Sequence, residues 1–229
     1  MVGKIIELRA KGATSPSTKK GKVMPVRRQN KDYRSREHLT VAEVEALRRA
    51  ARKTRYPARD EALVLMGFRH GLRVQELVSL RWDALDLNTR QLHVERLKRG
   101  RPGTQMLQGD TIRLLRRVLR DQQESGRPSA FVFASERGSG SITATLKSGT
   151  VVREVGMTPA NFRMLLKRLG TAAKLSIKVH PHMLRHACGY ELVNRNKNQR
   201  RIQQHLGHTS IQSTEVYTAL AAQPDIWRD

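Results

Sequence analysis

The chain has 229 residues, enough for one well-packed domain with an arm and short for two full domains. Lys and Arg number 44 against 20 Asp and Glu, a formal net charge of +24 that predicts a polyanionic partner held with strong salt dependence. Aromatics at 4% argue against a stacking platform for single strands, a lone cysteine (Cys188) excludes an internal disulfide, and neither a membrane-length apolar run nor an apolar signal-like start is present.

These features read as a soluble, cytoplasmic, nucleoid-associated protein, and an RNA-binding or ribosomal-type protein shares the same composition. Residues 1–37 have no helical or strand period and carry eleven basic against three acidic residues. Lys19, Lys20, Lys22, Arg27 and Arg28 are their densest cations. Too little apolar area is present to offset ordering, so the segment reads as a basic arm for phosphates or as a solubilising tail.

Order begins at Thr40-Val41-Ala42-Glu43, a capping box, after which Val44, Leu47 and Ala51 line one helical face. A second helix over about 58–70 is apolar through Ala62–Met66 and is predicted to be central; Gly71 ends it as a left-handed cap and a third helix opens near Arg73. From Trp82 the period changes. Ala84–Leu87 and Gln91–Val94 around Asn88-Thr89 read as a hairpin, and Thr104–Leu107 as a third strand beyond the turn at Lys98–Gly103, which holds Arg99 and Arg101.

Ile112, Leu115, Val118 and Leu119 mark a further helix, and Phe131-Val132-Phe133 a short buried segment. Residues 135–157 read as a long Gly/Ser/Thr-rich loop with room for a small hairpin. A clear helix follows through Phe162, Leu165, Leu166 and Leu169. Three shorter ones are predicted over Met183–Asn194, Gln199–Leu206 and Thr214–Ala221.

Chemistry-bearing residues crowd the C-terminal fifth. His182 and Arg185, at i and i+3, share a helix face and could address one phosphate together, or form a solvated basic face. His182 and His186 have the i, i+4 spacing of a metal pair, but no Glu follows His182 and no cysteine pair exists, so no metal is assigned. His208, in the turn after Gly207, could donate to a phosphoryl oxygen or be an ordinary turn residue. Tyr217 is a nucleophile only beside a base or a strong positive potential, and otherwise a core aromatic with a wet hydroxyl. Arg73, at a helix start, points with the free amides towards an anion, and Lys98, at a hairpin tip, is a proton donor or an ordinary backbone-phosphate contact.

Taken in order, Gly71-Leu72-Arg73-Val74-Gln75-Glu76-Leu77, Lys98 after a strand, His182-x-x-Arg185-His186, Leu206-Gly207-His208 and Tyr217 resemble the tyrosine recombinases, the phage-integrase superfamily. The segments Arg96-Leu97-Lys98 and His180–His186, with the short length, are similar to the fimbrial phase-variation DNA invertases. The resemblance covers roughly residues 38–222 and implies a mainly α catalytic domain with a small three-stranded antiparallel sheet, followed by a short C-terminal tail.

It also implies site-specific strand exchange on double-stranded DNA through a 3′-phosphotyrosyl intermediate, with no cofactor, metal or ATP. Tyr217 would be the nucleophile, Arg73 and Arg185 the phosphate clamps, His208 a hydrogen-bond donor, His182 the proton acceptor and Lys98 the general acid. Four protomers at synapsis and DNA-bending accessory proteins are the implied partners, with Ile226 and Trp227 as a tail anchor on a neighbouring protomer. Many members carry a further helical domain of about a hundred residues ahead of the catalytic one, where this chain has only the basic arm. The 135–157 loop is longer than the family pattern. Two other readings stay open at this stage: a nicking-closing enzyme of type IB topoisomerase kind, and a DNA-binding regulator without chemistry.

Overall fold

A computed structural model describes residues 36–96, 102–126, 129–135, 143–145, 151–153 and 156–220. Lys98, Arg99, Arg101, the arm cations Lys19, Lys20, Lys22, Arg27 and Arg28, and the tail residues Ile226 and Trp227 lie outside them.

Helix α1 (Val41–Ala51) starts where the capping box predicts: the Glu43 amide donates to Thr40 Oγ1 at 3.2 Å and the Thr40 amide to Glu43 Oε2 at 2.8 Å. Its Val44, Leu47 and Ala51 face the core. Helix α2 (Pro57–Arg69) opens on proline, whose fixed φ suits a first helical turn, and it buries everything from Glu61 to Gly67. A helix whose middle, Ala62–Met66, is apolar on all sides must be covered there on all sides, and α1, α4 (Gly109–Glu124) and α6 (Pro181–Asn194) pack around it. Gly71, with φ +54°, turns the chain out of α2; a Cβ there would collide with Leu206. Two residues later Arg73 is the N-cap of the short α3 (Val74–Val78).

Strands β1 (Leu85–Asp86), β2 (Gln91–Val94) and β3 (Gly103–Met106) form the antiparallel meander, in that order. Asp86 Oδ1 accepts from the amides of Asn88 and Thr89 at 2.8 and 2.9 Å, the local bond that makes the first turn. Across β2 and β3 the register runs from Gln91 opposite Met106 to Val94 opposite Gly103. In α4, Ile112, Leu115 and Val118 point inward while Arg113, Arg116, Arg117 and Arg120 are exposed. Within the predicted loop, β4 (Thr143–Thr145) and β5 (Val151–Arg153) form a separate antiparallel pair.

Helix α5 (Pro159–Ala172) is capped by Thr158, with Phe162, Leu165, Leu166 and Leu169 buried. Helix α6 begins two residues earlier than the period predicts, because Pro181 takes the first helical position, so His182 falls in the first turn. Helices α7 (Gln199–Leu206) and α8 (Gln212–Leu220) follow, with Gly207 at φ +65° closing α7. The core divides in two. A large cluster centres on α2, and a smaller one under α6, α7 and α8 consists of Cys188, Tyr190, Ile202, Leu206 and Tyr217.

Candidate active site

The end of α2, the start of α3, the first turns of α6 and the end of α7 meet at one corner, and the arginines there are held rather than loose. Arg185 is 6% exposed. Its Nη1 donates to the Gly71 carbonyl and its Nη2 to the Leu206 carbonyl at 2.8 Å, so one guanidinium ties the backbone leading into Arg73 to the backbone leading into His208. Those two bonds leave other N–H groups of the fork for a ligand. Arg73 is paired with Glu76: Nη1 donates to Oε1 at 2.9 Å and the Arg73 amide to Oε2 at 2.9 Å. The carboxylate also takes Arg96 Nη1, at 2.8 Å.

Tyr217 is 2% exposed and lies flat on α6, where a Cβ on Gly189 would come within 2.6 Å of its ring. Tyr190 meets the ring edge-on with centroids 5.2 Å apart, and the His38 ring lies tilted against Tyr190 with centroids 4.0 Å apart. The phenolic oxygen faces His186 Nδ1 at 3.2 Å. Its partner is therefore His186, which the sequence pattern gave no role, and not His182, which stands exposed one turn earlier. His208 lies parallel to the Tyr217 ring at 6.2 Å, and its Nδ1 is 3.0 Å from the hydroxyl of fully buried Thr214.

Burial pushes the Tyr217 phenol up to about 12, and Arg185 only partly offsets it. At neutral pH the phenol is protonated, and an attack by its oxygen would need a base. His186 is held below its ordinary value by burial, with Glu37 opposing, so a neutral imidazole faces the phenol. Burial and the neighbouring Arg73 and Arg96 bring Arg185 down to about 10, still charged at pH 7. Burial raises the Cys188 thiol to about 12, an unreactive state. Among the described residues no three His, Cys, Asp or Glu side chains converge as a metal set.

Two histidines make the fold acid-sensitive. Burial depresses His70 to about 4, and burial with Arg185 and Arg73 does the same to His208. An unfolded histidine titrates near 6.5, so between pH 6.5 and 4 the unfolded chain binds more protons than the native one. Their stabilisation is complete above that range and is lost as pH falls through it, worth roughly 3 kcal/mol for His70 alone. Urea midpoints measured from pH 7 to 4.5 should fall steadily, and less steeply in His70→Gln. A midpoint independent of pH contradicts this.

The profile of the phage integrase family matches residues 37–223. The chain belongs to that family. As a phage-integrase member it is 35% identical over 187 residues to the type 1 fimbriae regulatory protein FimE of Escherichia coli K12, covering 80% of this chain and 86% of that one. Tyrosine recombinase XerD of Ralstonia nicotianae is 33% identical over 185 residues, which cover 80% of this chain and 56% of XerD. The solved structure of XerA recombinase superposes with a TM-score of 0.65 at 24% identity, covering 82% of this chain and 61% of XerA. The mainly α fold with a three-stranded antiparallel meander agrees with that likeness.

Of the six residues singled out in the sequence, Arg73, Arg185, His182 and His208 lie on the elements that meet at this corner, Tyr217 lies on α8 packed against α6, and Lys98 is outside the described residues. Sequence reasoning gave no role to His186, Glu76 and Arg96, though its motifs contain them, and did not single out Thr214. A signal existed for two of them. Glu76 stands three residues after Arg73 at capping-box spacing, and His186 one helical turn after His182.

Proposed function

We propose that the protein is a site-specific DNA recombinase, an invertase or integrase, that cleaves and rejoins double-stranded DNA through Tyr217. The observation that carries this is the phenol facing a neutral imidazole at 3.2 Å beside a guanidinium that locks the Arg73 and His208 backbones together.

Tyr217 Oη attacks the scissile phosphorus, forming the O–P bond as the bond to the 5′ oxygen breaks. The phenolic proton passes to an imidazole, and the contact favours His186 over the more distant role for His182, which would then hold a phosphate oxygen at the rim. Arg73 and Arg185 neutralise charge on the non-bridging oxygens. In the tautomer that accepts from the Thr214 hydroxyl at Nδ1, neutral His208 carries its proton on Nε2 and would donate it to the same phosphoryl group. Lys98 would protonate the departing 5′ oxygen. The 5′ hydroxyl of a partner strand then attacks the phosphotyrosine in reverse, and the ester's stored bond makes ATP unnecessary.

Arg99, Arg101 and the arm cations would hold backbone phosphates, four protomers would assemble at synapsis, and DNA-bending proteins would assist. It would act in the cytoplasm, on the nucleoid. The formal charge of +24 supports the DNA partner. Incubation with two marked duplexes carrying recombination sites should yield recombinants. Relaxed plasmid without recombinants would instead assign a nicking-closing enzyme.

A further inference from the structure

The Arg96-Leu97-Lys98 segment contains a residue for which the proposed chemistry has no direct use. Arg96 ends the strand β2 region, yet its side chain is only 2% exposed. At one end of the fork, Nη1 donates to Glu76 Oε2 at 2.8 Å. Glu76, whose side chain is also 2% exposed, is the carboxylate that holds both the amide and the guanidinium of Arg73. At the other end, Nη2 donates to the His205 carbonyl, which Gln105 Nε2 also reaches at 2.8 Å. The stem between them lies on Gly207, where a Cβ would come within 2.7 to 2.9 Å of Nε, Cδ and Cγ. Gly207, with φ +65°, is the residue that turns the chain into His208.

We propose that Arg96 is a positioning residue for strand cleavage, holding the Arg73 guanidinium through Glu76 and the His208 turn through the His205 carbonyl in one frame. This rests on reading Arg73 as a phosphate clamp. A merely space-filling role fits the observations poorly. Burying a third guanidinium beside Arg73 and Arg185 adds like-charge repulsion that an apolar side chain would avoid. Only a planar fork reaches a carboxylate and a carbonyl at once, and an ammonium lacks that geometry. The bonds join segments 20 and 109 residues apart, so the contact fixes the relation between two elements and not a local turn.

The test compares single-turnover cleavage of two duplexes, one with an ordinary scissile phosphate and one with a methylphosphonate there, whose neutral phosphorus centre has less need of a clamp. Wild type, Arg73→Ala, Arg96→Met and Arg96→Lys are measured on both, with thermal melting and gel-shift affinity alongside. The expected result is a loss of about 100-fold for Arg96→Met on the phosphate. That loss should shrink on the methylphosphonate in parallel with Arg73→Ala, affinity staying within a few-fold. Arg96→Lys, which keeps charge opposite Glu76, should be intermediate and supplies the same comparison where the Met variant is not stably folded. Equal losses on both substrates for the Arg96 variants, with Arg73→Ala still relieved, overturn the positioning role and leave the clamp reading intact. Equal losses for Arg73→Ala itself overturn the clamp reading and this inference with it.

Discussion

Tyr217→Phe should abolish cleavage while leaving DNA binding and the fold in place. The substitution removes one oxygen and its 3.2 Å contact with His186. The ring packing over Gly189 and against Tyr190 is retained. A single neutral hydrogen bond contributes about 1 kcal/mol net, so melting should shift by only a few degrees. With Tyr217 as the attacking group, the fall in cleavage should reach the detection limit. Gel-shift affinity should stay within about twofold, because binding is carried by cations that the change does not touch. Residual cleavage at wild-type rate would show that another nucleophile acts, and the DNA-binding regulator reading would gain if wild type itself does not cleave. Tyr217→Ala would be a poorer probe. It empties a fully packed site in the smaller core and is expected to cost about 3–5 kcal/mol of stability, confounding fold with chemistry.

The second large effect is expected at Arg185, where the proposed phosphate clamp is also an architectural tie. Removing a preorganised donor to a developing oxyanion costs on the order of 3–4 kcal/mol, or about 10²–10³ in rate. Arg185→Ala also strands the carbonyls of Gly71 and Leu206, each an acceptor buried at the junction of two elements. Leaving such groups unpaired costs about 1–3 kcal/mol apiece, so the Ala variant should melt well below wild type. Arg185→Lys separates the two contributions. An ammonium keeps the charge and one carbonyl bond but cannot bridge both, so cleavage should still fall about 10²-fold with most of the stability kept. Arg73→Ala gives the contrast: its side chain is 25% exposed, and its loss should lower cleavage with a smaller change in melting. Single-turnover cleavage and thermal melting on the three variants check the ordering. A Lys variant that cleaves like wild type would remove Arg185 from the chemistry.

How much of this was legible before folding depends on the range of the interactions. Capping at Thr40, the apolar middle of α2 and the left-handed Gly71 are local facts, settled by sterics and by hydrogen bonds within a few residues, and the structure agrees with the reading there. The small hairpin inside residues 135–157 agrees as well. Boundaries drifted by two residues at Pro181, where a proline extended the helix past its apolar period, and at Gln212. What was not legible is the set of partners. The His186–Tyr217 contact spans 31 residues and the Arg96–His205 contact 109, and neither leaves a periodic trace. Tyr217 is also a buried packing residue, which is why its residue type alone could not distinguish nucleophile from core aromatic.

The most direct measurement uses a nicked suicide duplex, from which a cleaved end diffuses away and traps the covalent state. Incubated with the protein and denatured in detergent, it should yield a protein–DNA adduct whose peptide map places the nucleotide on the fragment containing Tyr217. An adduct on any other residue, or none on a duplex that the protein demonstrably binds, would contradict the account.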